Sequence, residues 1–181
     1  MKKEKKIMET RQITPDTQDV LLRKLYETAF PEDEQIPWDD LMTLIVSMSL
    51  DFTAYYQEDK LIGFTIVYPR KSFNWFWYFA VLPELRGEGL GQQILSMLIE
   101  KYRNSSNILD MESPDQACDN QIQRQRRHDF YLRNGFRDTG LIKSYGDVDM
   151  TIMANGDRTF TMNDWDEVTN ELWSFWKWDK K

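Results

Sequence analysis

The nine residues from Asn74 to Leu82, Asn-Trp-Phe-Trp-Tyr-Phe-Ala-Val-Leu, constrain the fold more than any other part of the chain. Apolar at nearly every position, the run reads as a strand covered on both faces and therefore central in its sheet. Pro83 stops it. After a short turn, Gly91 to Arg103 carries Ile94, Leu95, Leu98, Ile99 and Tyr102 as one apolar stripe at helical spacing. A buried strand feeding an amphipathic helix calls for a layered architecture in which helices cover the sheet.

The flanking segments extend this pattern. Met8 to Thr14 reads as an opening strand ended by Pro15. Thr17 to Phe30 reads as a helix capped by Asp16 or Thr17, with Val20, Leu21, Lys24, Leu25 and Thr28 at helical spacing. An acidic connection, Pro31 to Pro37, precedes a second helix from Trp38 to Met48 with Leu41, Leu44, Ile45 and Met48 on one face. Thr53 to Gln57 and Leu61 to Tyr68 flank a polar turn at Glu58-Asp59-Lys60, the pattern of a hairpin. Beyond the central helix come a short strand from Asn107 to Met111, a polar helix from Asn120 to Asn134 stopped by Gly135, and two antiparallel strands, Phe136 to Thr139 and Tyr145 to Ala154. The tail places Trp165, Val168, Leu172, Phe175 and Trp176 at helical spacing. The expected fold class is α/β, a mixed α+β arrangement with a central mixed sheet and helices on both faces. The expected division is one domain over 1–154 and a C-terminal amphipathic, Trp-rich helix over 155–181.

Bulk properties narrow the function. The 181 residues are 41% hydrophobic and 14% aromatic, enough for a packed core. A net charge of −7 argues against nucleic acid as a partner and suits a cationic small molecule better than an anionic one. The lone Cys118 excludes an internal disulfide and fits a reducing cytosol, the expected compartment. The spacing of Cys and His suggests no metal site. No apolar run approaches a membrane span, and the basic start, Met1 to Lys6, is followed by no apolar signal core, so no membrane association is expected.

Chemistry concentrates at Arg86-Gly87-Glu88-Gly89-Leu90-Gly91. Three glycines in five residues at a helix start are costly unless the backbone must approach something closely. The first turn of a helix presents unpaired N–H groups and the positive end of its dipole, which together favour an anion such as pyrophosphate. The plain alternative is a tight strand-to-helix turn. A dinucleotide fingerprint needs G-x-G-x-x-G, whereas this stretch reads G-x-G-x-G, although Glu112 stands where that motif's acidic residue would fall. A phosphate-binding Walker loop is excluded because no Gly-Lys-Ser/Thr follows.

Arg86-x-x-Gly89-x-Gly91 resembles the R/Q-x-x-G-x-G/A signature of the GNAT superfamily of acetyltransferases. Phe79 to Glu84 resembles that family's lead-in strand. Phe130-Tyr131-Leu132-Arg133-Asn134-Gly135-Phe136 looks like its second signature. The resemblance runs from about Thr10 to Ala154.

The resemblance implies acetyl-CoA as co-substrate, its pyrophosphate on the turn formed by Arg86, Gly87, Glu88, Gly89, Leu90 and Gly91, with Gln92 opening the helix. It implies that the pantetheine arm pairs as an added strand with the backbone of Ala80, Val81 and Leu82. The neighbouring strand, Asn107 to Glu112, would splay away from the central one. An N–H of Val81 or Leu82 would stabilise the oxyanion. Tyr131 matches the family's acid position, packing beside Phe130 and Phe136 being its alternative role. Some relatives carry a carboxylate where this chain has Trp75. Glu112 is the leading substitute for that base, ahead of the acidic connection or water; a solvated strand end or a helix-capping partner is its plain alternative. His128, one turn before Tyr131, could assist, although a surface position is the expectation. Arg124 replaces an Asn that contacts pantetheine in relatives, and with Arg126 and Arg127 it could reach the cofactor's phosphates; a solvated basic face is the other reading. Glu32, Glu34 and the ring of Trp75 are the candidate contacts for the acceptor.

The leading expectation is an N-acetyltransferase that acts on a primary amine of a small cationic molecule by direct attack in a ternary complex. A protein or peptide N-acetyltransferase, a transferase for a longer acyl group, and a non-catalytic CoA sensor are the alternatives. Trp173 and Trp178 fall off the tail's main stripe, and a homodimer contact through that helix is a further expectation.

Overall fold

The computed structural model describes residues 7–176, so Met1 to Lys6 and Trp178 lie outside the described residues. Seven strands form one mixed sheet: β1 (Glu9–Gln12), β2 (Asp51–Gln57), β3 (Lys60–Pro69), β4 (Asn74–Val81), β5 (Asn107–Glu112), β6 (Arg137–Tyr145) and β7 (Val148–Asn155). Their hydrogen-bonded order is β1-β2-β3-β4-β5-β7-β6, which puts the aromatic strand β4 at the centre. The helices are α1 (Val20–Ala29), α2 (Trp38–Ser47), α3 (Leu90–Lys101), α4 (Gln121–Arg133) and α5 (Met162–Phe175). Contacts group the chain into two compact units, 7–69 with 77–94 and 175–176, and 70–76 with 95–174.

In the first unit β1, β2 and β3 run antiparallel, and β2 and β3 form the expected hairpin. Glu58 and Asp59 in its turn both adopt positive φ. The N-terminal strand is shorter than the expected Met8–Thr14. Helix α1 also differs from expectation. Asp19, rather than Asp16 or Thr17, caps it by accepting a hydrogen bond from the Leu22 amide at 2.9 Å. Its other carboxylate oxygen accepts from the Tyr56 hydroxyl at 2.6 Å, which fixes where the helix begins. The buried face is consequently Leu22, Leu25 and Tyr26, while Val20 and Leu21 are exposed. The Tyr26 hydroxyl both donates to the Ile36 carbonyl (2.9 Å) and accepts from the Ile36 amide (3.0 Å), pinning the acidic connection. Tyr26, Phe30 and Tyr78 pack edge to face or tilted on one side of β4. Phe79 and Val81 pack with Leu90 and Ile94 of α3 on the other.

In the second unit β4 runs parallel to β5 through two paired positions, Asn74↔Asn107 and Trp75↔Ile108. Strand β5 then pairs antiparallel with β7, and β7 with β6. A ladder of amides locks this register: Asn74 Nδ2 donates to Asn107 Oδ1 (2.8 Å) and Asn107 Nδ2 to Asn155 Oδ1 (2.7 Å). Asn74 and Asn107 are buried, so a slipped register would leave amides unpaired. Strand β6 continues to Tyr145 instead of ending at Thr139, and the hairpin turns at Gly146-Asp147. Helix α5 buries Trp165, Val168 and Leu172 as expected, but Phe175 is exposed and off the packed face. Trp173 is exposed, in keeping with its position off the stripe. Arg70, nearly enclosed, fixes this helix through ion pairs with Glu171 and Glu167.

Candidate active site

The first unit holds the glycine-rich turn. After β4 the chain makes a single tight helical turn at Pro83–Leu85 and enters α3 at Leu90, one residue earlier than expected. Gly87 and Gly89 have φ of +86° and +80°, and a Cβ added at either would meet no atom within 4 Å. Conformation and open space, not crowding, therefore call for glycine at both positions. Leu90 and Ile94 anchor the turn by packing on Tyr55 and Ile62, with Val81 and Leu85 against them. The Arg86 guanidinium folds back so that Nε donates to the Val81 carbonyl at 3.3 Å. Amides of the first turn of α3 have no acceptor within the helix. An exposed turn from Arg86 to Gly89 at the positive end of a twelve-residue helix fits an anionic phosphate group.

Beside this turn, Gly63 of β3 lies under Ala80 of β4, where an added Cβ would come within 2.3 Å of the Ala80 carbonyl oxygen. The Leu82 amide donates to the Ile62 carbonyl (2.9 Å) and the Leu82 carbonyl accepts from the Leu85 amide (3.0 Å). The Leu82 N–H is thus committed to a protein partner, which leaves the Val81 N–H as the candidate oxyanion donor. Glu32 and Glu34 lie in a short helical turn, both in exposed positions, and Tyr78 donates its hydroxyl to the Glu34 carbonyl at 2.6 Å.

The second unit holds Glu112, Arg124, His128 and Tyr131. Glu112, at the end of β5, is ion-paired with Arg124 of α4 at 2.8 Å and lies 3.5 Å from Arg127. Arg124 is 6% exposed and also reaches Asn120, Gln116 and the Ser113 carbonyl. Its guanidinium ties α4 to the end of β5. The same ion pairs make Glu112 a structural acceptor held by two cations. His128 is buried, not on the surface, and its Nε2 is 2.7 Å from Asp138.

A carboxylate two residues earlier, which motif and spacing do not single out, has the properties that Glu112 lacks. Asp110 sits partly buried on β5, and burial pushes its carboxyl up to about 6. The Trp75 indole Nε1–H donates to Asp110 Oδ1 at 3.2 Å and opposes that shift by favouring the charged form. Trp75 is 3% exposed, which rules it out as the wall of an open acceptor pocket. It acts instead as the donor that holds the carboxylate on the neighbouring strand. Tyr131, packed against Phe130 and Phe136, feels the Asp110 charge, and burial pushes its phenol up to about 12. Its hydroxyl makes no hydrogen bond to a described residue. Tyr145 of β6 also feels Asp110, and its phenol is raised by burial. In the sequence Asp110 is one of two acids in this strand, flanked by Leu109 and Met111, and nothing local ranks it above Glu112.

Among the described residues no helix is long and apolar enough to cross a membrane. Residues 49–138 match the family model described as the acetyltransferase (GNAT) domain. No curated protein matches the chain in sequence. Among solved structures, a GNAT-family protein of Bacteroides thetaiotaomicron is similar at 23% identity and TM-score 0.71, with 92% of this chain and 96% of that one covered. A GNAT family acetyltransferase of Elizabethkingia anophelis, solved with acetyl-CoA bound, aligns at 16% identity and TM-score 0.61 over 83% of this chain and 98% of the other. An acetyltransferase of Bacillus subtilis in complex with CoA aligns at 14% identity and TM-score 0.59, covering 84% of this chain and all of that one. The domain match over residues 49–138 and the fold shared with these structures give this chain a GNAT-type acetyltransferase domain, with the glycine-rich turn following its central strand.

Proposed function

We propose that the protein transfers an acetyl group from acetyl-CoA to the primary amine of a small cationic molecule, by direct attack. The single observation that carries this reading is the pair Asp110 and Tyr131, a carboxyl held by the Trp75 N–H and a phenol near enough to feel its charge, both with proton affinities raised by burial. A carboxyl near 6 is ionised at neutral pH yet basic enough to take a proton. A phenol near 12 stays protonated there and is available as a donor to the charge that develops on the departing sulfur.

When bound, acetyl-CoA supplies the activated acyl group. The chain's own residues do the rest. The Arg86–Gly91 turn and the start of α3, Gln92 included, hold the pyrophosphate, and the backbone of Ala80 and Val81 takes the pantetheine arm. Asp110 attracts the ammonium form of the acceptor, and its free oxygen takes the proton that the nitrogen must lose before it bonds to the acyl carbon. Tyr131 returns a proton to sulfur as the carbon–sulfur bond breaks, and the second proton that the nitrogen sheds on becoming an amide restores the phenol, leaving an amide and the free thiol of CoA. Glu112, with Arg124 and Arg127, keeps α4 and hence Tyr131 in place. The overall charge of −7, the carboxylate at Asp110 and the exposed Glu32 and Glu34 favour a cationic acceptor over an anionic one.

Calorimetric titration with acetyl-CoA, followed by thiol release across a panel of diamines, polyamines, amino acids and peptides, tests the reading. Binding with release stimulated by small cationic amines is the expected result. Release only with peptides would move the acceptor to a protein N-terminus, and absence of acetyl-CoA binding would overturn the assignment of the Arg86–Gly91 turn.

A further inference from the structure

We propose that Trp165 of the C-terminal helix is a positioning residue for the acetyl transfer: it holds the Trp75 indole so that Nε1–H fixes one oxygen of Asp110 and leaves the other for the acceptor amine. The inference rests on the reading of Asp110 as the base. It brings into the chemistry a helix that lies wholly outside residues 49–138, the segment that the family model matches.

The geometry is a relay of two indoles. Trp165 is 1% exposed and heads the fully buried side chains by volume. Its ring meets that of Trp75 edge to face, with centroids 5.5 Å apart and planes at 81°. An indole N–H is a donor only, and a buried one needs an acceptor. Trp75 Nε1 finds Asp110 Oδ1 at 3.2 Å, and Trp165 Nε1 finds the Tyr145 hydroxyl at 3.1 Å. Each ring is therefore fixed by its own hydrogen bond and by edge-to-face packing on the other ring. Trp75 cannot swing off Asp110 without displacing Trp165. Trp165 in turn is held by the burial of Val168 and Leu172 on the same helix and by the ion pairs of Arg70 with Glu167 and Glu171. Arg70 lies five residues before Trp75, so the chain entering β4 and the helix that presses on it are tied together.

The charged and titratable groups around Asp110 are few. Tyr131 faces it from α4 and Tyr145 from β6. On its own strand Glu112 is neutralised by Arg124 and Arg127, and Asp166 of α5, which acts on Tyr145, is paired with Lys143 at 3.1 Å. The Trp75 N–H is the one side-chain hydrogen bond to Asp110 among the described residues. Because that bond favours the ionised carboxylate, loosening Trp75 must raise the proton affinity of Asp110.

The test reads Asp110 directly, by carbon-13 titration of its carboxyl in the free protein, beside the pH profile of kcat/KM. Trp75→Phe deletes the donor and is expected to raise the proton affinity about tenfold. Trp165→Leu, with Trp75 intact, is expected to move the midpoint in the same direction by at least about threefold. The double variant should go no further than Trp75→Phe alone, because both changes break one relay. Should Trp165→Leu fail to fold, Tyr145→Phe, which removes only the acceptor of the Trp165 N–H, and Trp165→Phe take its place and should shift the midpoint upward. An unchanged midpoint in the folded Trp165 and Tyr145 variants overturns the positioning role. A midpoint that moves while the acidic limb of kcat/KM stays where it was leaves the relay standing and sinks Asp110 as the base.

Discussion

At the scale of single residues, Asp110 trades stability for proton affinity. Its folded pKa of about 6 lies above the ordinary carboxylate value of 3.8. Below about pH 4 the carboxyl is protonated in both folded and unfolded chains and costs nothing. As pH rises from about 4 to 6 the unfolded chain loses the proton first, so stability falls, and above about 6 the deficit is complete, on the order of 3 kcal/mol. Asp110→Asn keeps an acceptor for the Trp75 N–H but carries no charge. It should abolish base catalysis, lowering kcat by about 10²–10⁴-fold, while raising Tm at pH 7.5 by several degrees and leaving Tm at pH 4 unchanged. Melts at the two pH values, with steady-state rates, check all three. Tyr131→Phe should lower kcat by a comparable factor with little effect on acetyl-CoA affinity, measured calorimetrically. Tyr131 is legible from its signature, and the turn from its glycines, because both are local patterns. Asp110 is not, because what raises its proton affinity is burial among residues distant in sequence, from Trp75 to Tyr131. Glu112 attracts attention as a strand-end carboxylate, and nothing local to it foretells that Arg124, twelve residues on, arrives to neutralise it.

At the scale of elements, the order and type of the strands and helices follow from periodicity, and the misses fall where a partner decides the matter. Helix α1 begins at Val20 because Tyr56 on β2 holds the Asp19 cap, a contact between residues 37 apart. The second half of β6 reads as loop because Thr139, Gly140, Lys143 and Ser144 lack the alternation of a half-buried strand. As the last strand of the sheet it needs none, and polar edge strands resist unwanted pairing. Its register comes from β7. Element-level packing also yields a prediction at Gly63, which the sequence presents as an ordinary glycine inside a strand. A methyl group there would come to 2.3 Å from the Ala80 carbonyl oxygen, and that atom belongs to backbone, so β4 itself must move. Gly63→Ala should cost about 1–3 kcal/mol in denaturant melts. Because Ala80 and Val81 are the proposed pantetheine contacts, acetyl-CoA affinity should weaken more than in a surface variant of equal stability. Equal affinity at equal stability would argue against that backbone as the docking strand.

At the scale of the whole chain, the family model covers residues 49–138, yet the core does not end there. Strand β7 supplies β5 with its antiparallel neighbour along all six residues of β5, and α5 covers Trp75 with Trp165. Without β7, β5 would become an edge with Ile108, Leu109 and Met111 facing water or another chain, the kind of exposed apolar edge that aggregates. Without α5 alone, three buried side chains, Trp165, Val168 and Leu172, leave the second unit. At about 1.5–3 kcal/mol each for burial of a large apolar side chain, the loss is comparable to the roughly 5–15 kcal/mol that holds a typical domain together. Arg70 would lose both of its carboxylate partners, a further penalty. A chain ended after Phe160 should therefore lose its near-ultraviolet circular dichroism and bind a hydrophobic dye, while far-ultraviolet helix and strand signals largely persist. Glu171→Ala, which keeps the helix and removes one partner of Arg70, should remain folded with a lowered Tm. If the truncated chain instead melted cooperatively within a few degrees of the intact protein, α5 would be an appendage, and its contact with Trp75 could not be what holds Asp110 in place.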